Sequence, residues 1–205
     1  MKIERINSLK DERFREKILK QHGAFLADGE PCGVEITGER TATVFSERKV
    51  DIDALIGEFR FFAEHITTFY DADGRLLRQF EPVKLFDVKI DDIQPSQFYV
   101  SAEKLNAVGT FIQTGWDVIV PLNADGDRYI SLDGHTRLYL AAQMGTDRVR
   151  GFIAESSDCV RDFAREAQKR GIFSPRQMQV LQANEYEIKW NRFCDEYFAA
   201  KGKDG

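Results

Sequence analysis

Residues 127–145 read DRYISLDGHTRLYLAAQMG, and the change of pattern inside this stretch decides the fold class. Arg128 to Leu132 is a β-prone run, Leu138 to Met144 has the make-up of a short helix, and Gly145 is placed to end it. A strand that ends in Asp133-Gly134 and opens directly into a helix leaves the first helical N–H groups pointing outward. The helix dipole adds partial positive charge at the same place. Gly134 lets a ligand approach the backbone. Arg137, one turn in, can fork two hydrogen bonds onto a phosphate or carboxylate, while His135 and Thr136 can donate from the first turn. A plainer reading is a strand-to-helix turn in which Asp133 caps the helix, Gly134 relieves strain and Arg137 pairs with a surface acid. Spacing alone leaves both open.

Around this stretch the pattern is that of an α/β unit. Val118 to Leu122 and Arg128 to Leu132 flank Asn-Ala-Asp-Gly, a hairpin signal, and Arg148–Ile153 returns as a strand. Upstream, Lys84 to Val88 is strand-like, Ile93-Gln94-Pro95-Ser96 reads as a turn, and Ser101 caps a helix with Leu105, Val108 and Ile112 inward. Downstream the chain is helical. Val160, Phe163, Ala164 and Ala167 share a face before Gly171. Ser174-Pro175-Arg176-Gln177 combines an N-cap, a proline at the first helical position and a capping-box glutamine. Asn184-Glu185-Tyr186-Glu187 repeats the capping logic, and Tyr186, Trp190, Phe193 and Tyr197 form a helical stripe that reads as packing core.

The N-terminal part predicts a helix over 9–22, capped by Ser8, with Phe14 and Ile18 on one face and Gly23 ending it. Gly33 to Ile36 and Thr41 to Phe45 flank Gly38-Glu39 as a hairpin, with Glu35, Glu39 and Glu47 on its solvated side. Asp51 opens the clearest helix, in which Ile52, Leu55, Ile56, Phe59, Ala63 and Ile66 keep helical spacing and Phe61 and Phe62 widen the apolar face. Thr67 to Tyr70 and Arg75 to Phe80 flank a second Asp-Gly turn at Gly74. The expected fold class is α+β: an N-terminal helix, hairpin and helix region over 1–82, a core over 83–155 and a C-terminal helical cap over 156–205. The absence of repeats and low-complexity linkers predicts that these fuse into one compact unit with a frayed end at 201–205.

With 205 residues, 42% hydrophobic and 12% aromatic, the chain has globular composition. No apolar run reaches the ~18 residues of a spanning helix and the start lacks a signal-peptide stretch, so a cytoplasmic protein is expected. Cys32, Cys159 and Cys194 are too dispersed for a zinc pattern and read as reduced, mostly buried thiols. Twenty-nine basic against 34 acidic side chains leave a net charge of -5, which provides no overall field for a phosphate backbone. His22 and His65 stand alone, and Asp71, Asp73, Asp125 and Asp127 read as turn chemistry rather than metal ligands.

From about Val83 to Ile153, the string DIQPSQFYVSAEKLNAVGTFI…VIVPL…DRYISLDGHTRLYLAAQMG resembles the ParB/sulfiredoxin superfamily domain. The resemblance covers about a third of the chain. It implies a ParB/sulfiredoxin-like core in which the DGHTR helix start binds nucleotide phosphate, as in small bacterial ParB-like proteins. Sulfiredoxins carry a reactive cysteine where this chain has His135, which sets that branch aside. Partition proteins pair the domain with CTP and a following helix-turn-helix. The tail after Ile153 shows no basic recognition helix, so sequence-specific DNA binding is not expected. The free-serine kinases related to ParB match at Asp133, Gly134, His135 and Arg137 but have a glutamate where Gln97 stands, and a glutamine cannot accept a proton. Asp133, Asp92 and Asp87 are the carboxylates left to replace it.

What the resemblance implies is a small-molecule kinase, moving a phosphoryl group from ATP or ADP to a small, serine-like hydroxyl compound. Gly134, His135, Thr136 and Arg137 would hold phosphate and Asp133 would help hold Mg²⁺ or orient the acceptor. His135 would contact phosphate or shuttle a proton, and Gln97 would orient the hydroxyl. The rival expectation is a non-enzymatic module that responds to CTP or a similar nucleotide and controls association with DNA or protein. A nuclease lacks a metal-carboxylate cluster in the sequence. The sequence leaves the oligomeric state open.

Overall fold

The computed structural model describes residues 2–46, 51–61 and 63–201. Glu47, Phe62 and residues 202–205, which figured in the expectations above, lie outside them. The chain is α+β, and it divides into two compact units, Met1–Lys84 and Leu85–Gly205, rather than the single unit expected. The division follows the cores, since Phe25, Val34, Leu55, Ile56 and Phe69 close one cluster and Val88, Ile93, Val120, Leu122 and Leu138 another.

In the first unit six strands lie side by side in chain order: β1 (Ile3–Arg5), β2 (Ala24–Ala27), β3 (Glu30–Ile36), β4 (Thr41–Ser46), β5 (Thr68–Tyr70) and β6 (Leu76–Gln79). The β3–β4 hairpin forms as expected, with Ile36 opposite Ala42. The second hairpin closes where the Asp71 carboxylate accepts the N–H groups of Asp73 and Arg75 at 2.9 and 2.8 Å, local turn chemistry as predicted. β4 and β5 are parallel, so the chain between them must cross over, and it does so through α2 (Ile52–Arg60). Asp51 caps this helix, accepting from the Ala54 N–H at 3.1 Å.

Four expectations for this unit are corrected. α2 ends at Arg60, and Ala63 and Ile66 reach the core from the connection that follows. Phe61, just past the helix end, is 80% exposed instead of widening the apolar face. The first helix contracts to α1 (Glu16–Lys20) with Arg15 at its N-cap. The Ser8 and Asp11 side chains accept the Lys10 and Arg13 N–H groups in local turns that compete with the helix. His22, not Gly23, takes the left-handed conformation after it, at φ 56°. Gly23 is needed for a different reason, because a Cβ there would stand 1.8 Å from the Val34 carbonyl oxygen. Finally, Glu35 is not solvated: it accepts from Lys17 Nζ at 2.7 Å and its side chain is largely covered.

The second unit contains β7 (Phe86–Lys89), β8 (Ile93–Pro95), β9 (Tyr99–Ser101), β10 (Ile119–Asp125), β11 (Arg128–Ser131), β12 (Arg148–Ile153) and β13 (Gln179–Leu181). Five of these form a mixed sheet of order β7-β12-β10-β11-β8, in which β8 runs parallel to β11 with Pro95 opposite Ser131. Ile93–Pro95, within the segment predicted as a turn at 93–96, is therefore an edge strand, and Ser96 follows its end. Proline has no N–H for a ladder, and an edge tolerates that. β9 and β13 pair separately in parallel. Ser101 caps α3 (Ala102–Val108), accepting from the Lys104 N–H at 3.4 Å. α4 (His135–Gln143) begins three residues before the predicted Leu138. Ile93 faces the core beneath α4, and Gln94, one residue on, points to the other side of the sheet. There its amide reaches Gln168 of α5 (Asp158–Lys169) at 3.3 Å.

The capping box at Ser174 and Gln177 forms, but around a 3₁₀ turn, Pro175–Gln177, instead of an α-helix. The last helix starts at α6 (Ala183–Tyr186), with Gln182 rather than Asn184 at its N-cap. It continues through a π segment, Glu187–Asn191, into α7 (Arg192–Lys201). Its aromatic stripe is packing core, as predicted: Trp190 and Phe193 lie edge-on to Phe98 at 4.9 and 5.1 Å, and Tyr197 meets Phe163 at 4.7 Å. The three thiols are free, with Cys32 buried and Cys159 and Cys194 half-buried. Among the described residues no helix is long and apolar enough to cross a membrane.

Candidate functional site

β8 and β11 run in the same direction, so their C-terminal ends lie together and the chain after each meets the other. In α/β sheets ligands commonly bind at such strand ends. After β11 the chain turns through Leu132 and Asp133 and enters α4 at Gly134. Gly134 occupies the N-cap position in the left-handed region, at φ 78° and ψ 18°. A Cβ there would also lie 2.6 Å from Val120 Cγ1 and 2.9 Å from Arg137 Nη2. Only glycine satisfies both the dihedral and the close approach. The N-cap residue is Gly134 rather than the Asp133 of the plainer reading, so the N-cap itself contributes no side-chain acceptor, and the first-turn N–H groups have no intrahelical acceptor.

Arg137 folds back over the Gly134 backbone. Its Nη1 donates to the Ile119 carbonyl at 2.8 Å and its Nη2 to Asp133 Oδ2 at 3.4 Å. The side chain is 21% exposed, against 44% for Asp133. Two bonds leave three of its five N–H donors for other partners. The Thr136 side chain is half-buried beside it.

His135 turns inward and is 7% exposed. Its Nε2 lies 3.0 Å from Ser96 Oγ, and that hydroxyl lies 2.7 Å from the Ser131 carbonyl oxygen. Burial pushes the imidazole down to about 4, outweighing the nearby Asp133 carboxylate and the Ser131 carbonyl, which favour the charged ring. The ring is thus neutral at pH 7 and turned inward, away from the position that the expected phosphate contact of its side chain would need. The Ser131 hydroxyl, two residues before Asp133, is fully buried and has no hydrogen-bond partner among the described residues.

Gln97 is drawn away. Its Nε2 donates to the Tyr99 carbonyl and, at 3.0 Å, to the Tyr186 hydroxyl at the start of the last helix. Burial raises the Tyr186 hydroxyl above its ordinary range. Of the other carboxylates, Asp87 is on β7, three strand positions from β11 and so about 14 Å across the sheet at the usual strand spacing. Asp92 precedes β8, at the opposite end of that strand from Ser96. The structure therefore brings Asp133, Gly134, Thr136 and Arg137 together, and Asp133 is the one candidate carboxylate at the helix start. Sequence reasoning missed Ser96. Its signal was present in the Ile-Gln-Pro-Ser-Gln stretch, one residue before the position that was singled out.

Among the described residues no group of three or more His, Cys, Asp or Glu side chains could hold a metal ion by themselves. Asp133 alone fits the part of one carboxylate toward Mg²⁺ that arrives on phosphate oxygens, a common mode for that ion.

No protein-family model matches the chain, and no curated protein matches it. Part of it is similar to a solved structure, the crystal structure of protein Atu1540 from Agrobacterium tumefaciens, at 21% identity over 43% of this chain and with a TM-score of 0.29. The chain spans 48% of that protein's length. A likeness at that score says nothing about function.

Proposed function

We propose that the start of α4 binds the phosphate groups of a nucleotide, and that the protein transfers a phosphoryl group from ATP or ADP to a small hydroxyl compound. One observation carries this reading: Arg137 is laid over the left-handed Gly134, beside first-turn N–H groups with no intrahelical acceptor. The backbone N–H groups of 135–137 and the remaining guanidinium donors converge on an anion, which is the preorganised charge that phosphoryl transfer requires. Asp133 orients the acceptor or shares Mg²⁺ with the phosphates. The resemblance of the DGHTR core to the ParB/sulfiredoxin superfamily supports the same assignment.

A second reading has its own support. The Gln97 amide is committed to Tyr99 and Tyr186, so the stretch after β8 supplies no base. This favours a CTP-responsive binding module without turnover. Thermal unfolding with ATP, ADP, CTP, inorganic phosphate and pyrophosphate, with and without Mg²⁺, tests the shared premise, since a ligand held only by the folded state raises the melting temperature. Arg137→Gln should abolish the shift. Acceptor-dependent consumption of ATP or ADP then separates the readings, with Asp133→Asn expected to lower it by orders of magnitude. Indifference of the wild type to every one of these anions at millimolar concentration would overturn both.

A further inference from the structure

The contact between the two strand ends runs through one hydroxyl. Ser96 Oγ lies 2.7 Å from the Ser131 carbonyl oxygen, a separation that two oxygens hold comfortably only with a proton between them. The carbonyl has none to give, so the proton is the hydroxyl's own. Ser96 Oγ then faces His135 Nε2, 3.0 Å away, with lone pairs. A bare Nε2 would set lone pair against lone pair inside a buried contact, so Nε2 must carry the proton and donate it.

We propose that Ser96 is the positioning residue of this site: by accepting the Nε2 proton it holds His135 in the Nε2–H tautomer and pegs the first turn of α4 to the ends of β8 and β11. The consequence for the anion rests on the phosphate-binding reading above. A neutral ring with its single N–H directed at Ser96 and the neighbouring Ser131 carbonyl has no donor left for phosphate, and Nδ1 offers only a lone pair. His135 therefore serves as a buried anchor. The N–H groups of 135–137 and the Arg137 guanidinium make the contacts, and their direction depends on the peg. Gln97, the next residue, cannot substitute, because its amide is turned to Tyr99 and Tyr186.

The tautomer is directly observable. In the full-length chain labelled with ¹⁵N-histidine, two-bond ¹H–¹⁵N correlations at pH 7 should give His135 a protonated Nε2 and a bare Nδ1. Ser96→Ala should release this ring into a mixture of tautomers and weaken binding of inorganic phosphate or ADP, measured calorimetrically, by about tenfold, the loss of one buried hydrogen bond. Ser96→Thr, which keeps the hydroxyl, should restore both. A wild-type ring protonated on Nδ1 overturns the proposal without any variant. So does a Ser96→Ala chain with unchanged tautomer and affinity. If the tautomer is as stated and responds to Ser96 while no phosphate compound binds the wild type, the phosphate reading falls and the hold of Ser96 on His135 stands.

Discussion

At the scale of single residues the helix start is governed by His135 and its burial. The folded protein holds the ring neutral, with its ionisation pushed down to about 4 from 6.5. A proton that binds the unfolded chain more readily than the folded one destabilises the fold. The contribution of His135 is therefore complete above pH 6.5, declines as the pH falls, and is lost by about pH 4. The difference corresponds to about 3 kcal/mol at most. Urea unfolding between pH 7 and 4.5 should show stability falling with pH, and His135→Gln should flatten that slope. The residues of this turn were legible in sequence as a set, because Asp-Gly before a helical run has few physical meanings. The inward direction of the histidine was not. It depends on Ser96, which lies 39 positions earlier in the chain, and no local pattern reports a tautomer or a distant acceptor.

Among the elements, the capped helices and the turn-marked hairpins were the most readable. Asp51 and Ser101 cap α2 and α3 through their own side chains, as helix starts of this kind predict. What escaped reading were short strands that take their identity from partners. β1, β9 and β13 have three residues each, too few for alternation to register, and β8 looks like a turn because of Pro95. The aromatic cluster joins several of these pieces. Phe98, between β8 and β9, is fully buried and meets Tyr99, Trp190 and Phe193 edge-on, while the Arg170 guanidinium lies over its ring at 4.3 Å. Phe98→Ala should cost about 3–5 kcal/mol in chemical denaturation. An effect below about 1 kcal/mol would mean that the last helix does not rest on this ring.

At the scale of the whole molecule, two compact units, each with its own core clusters, predict two separately folding pieces. Fragments 1–84 and 85–205 should each unfold cooperatively by circular dichroism, whereas 85–155 should not, because it lacks the partners of its own edge. Those partners come late in sequence. Val100 on β9 sits opposite Val180 on β13, the Gln94 amide donates to the Ile172 carbonyl at 3.0 Å, and Phe98 is covered by Trp190 and Phe193. During synthesis on the ribosome, residues 98–101 therefore emerge long before β13 and the last helix can cover them, whereas β8 can pair with β11 much earlier. Until some ninety further residues have been added, the nascent chain displays a bare strand edge and an uncovered phenylalanine, and for that interval it is a natural client for a chaperone.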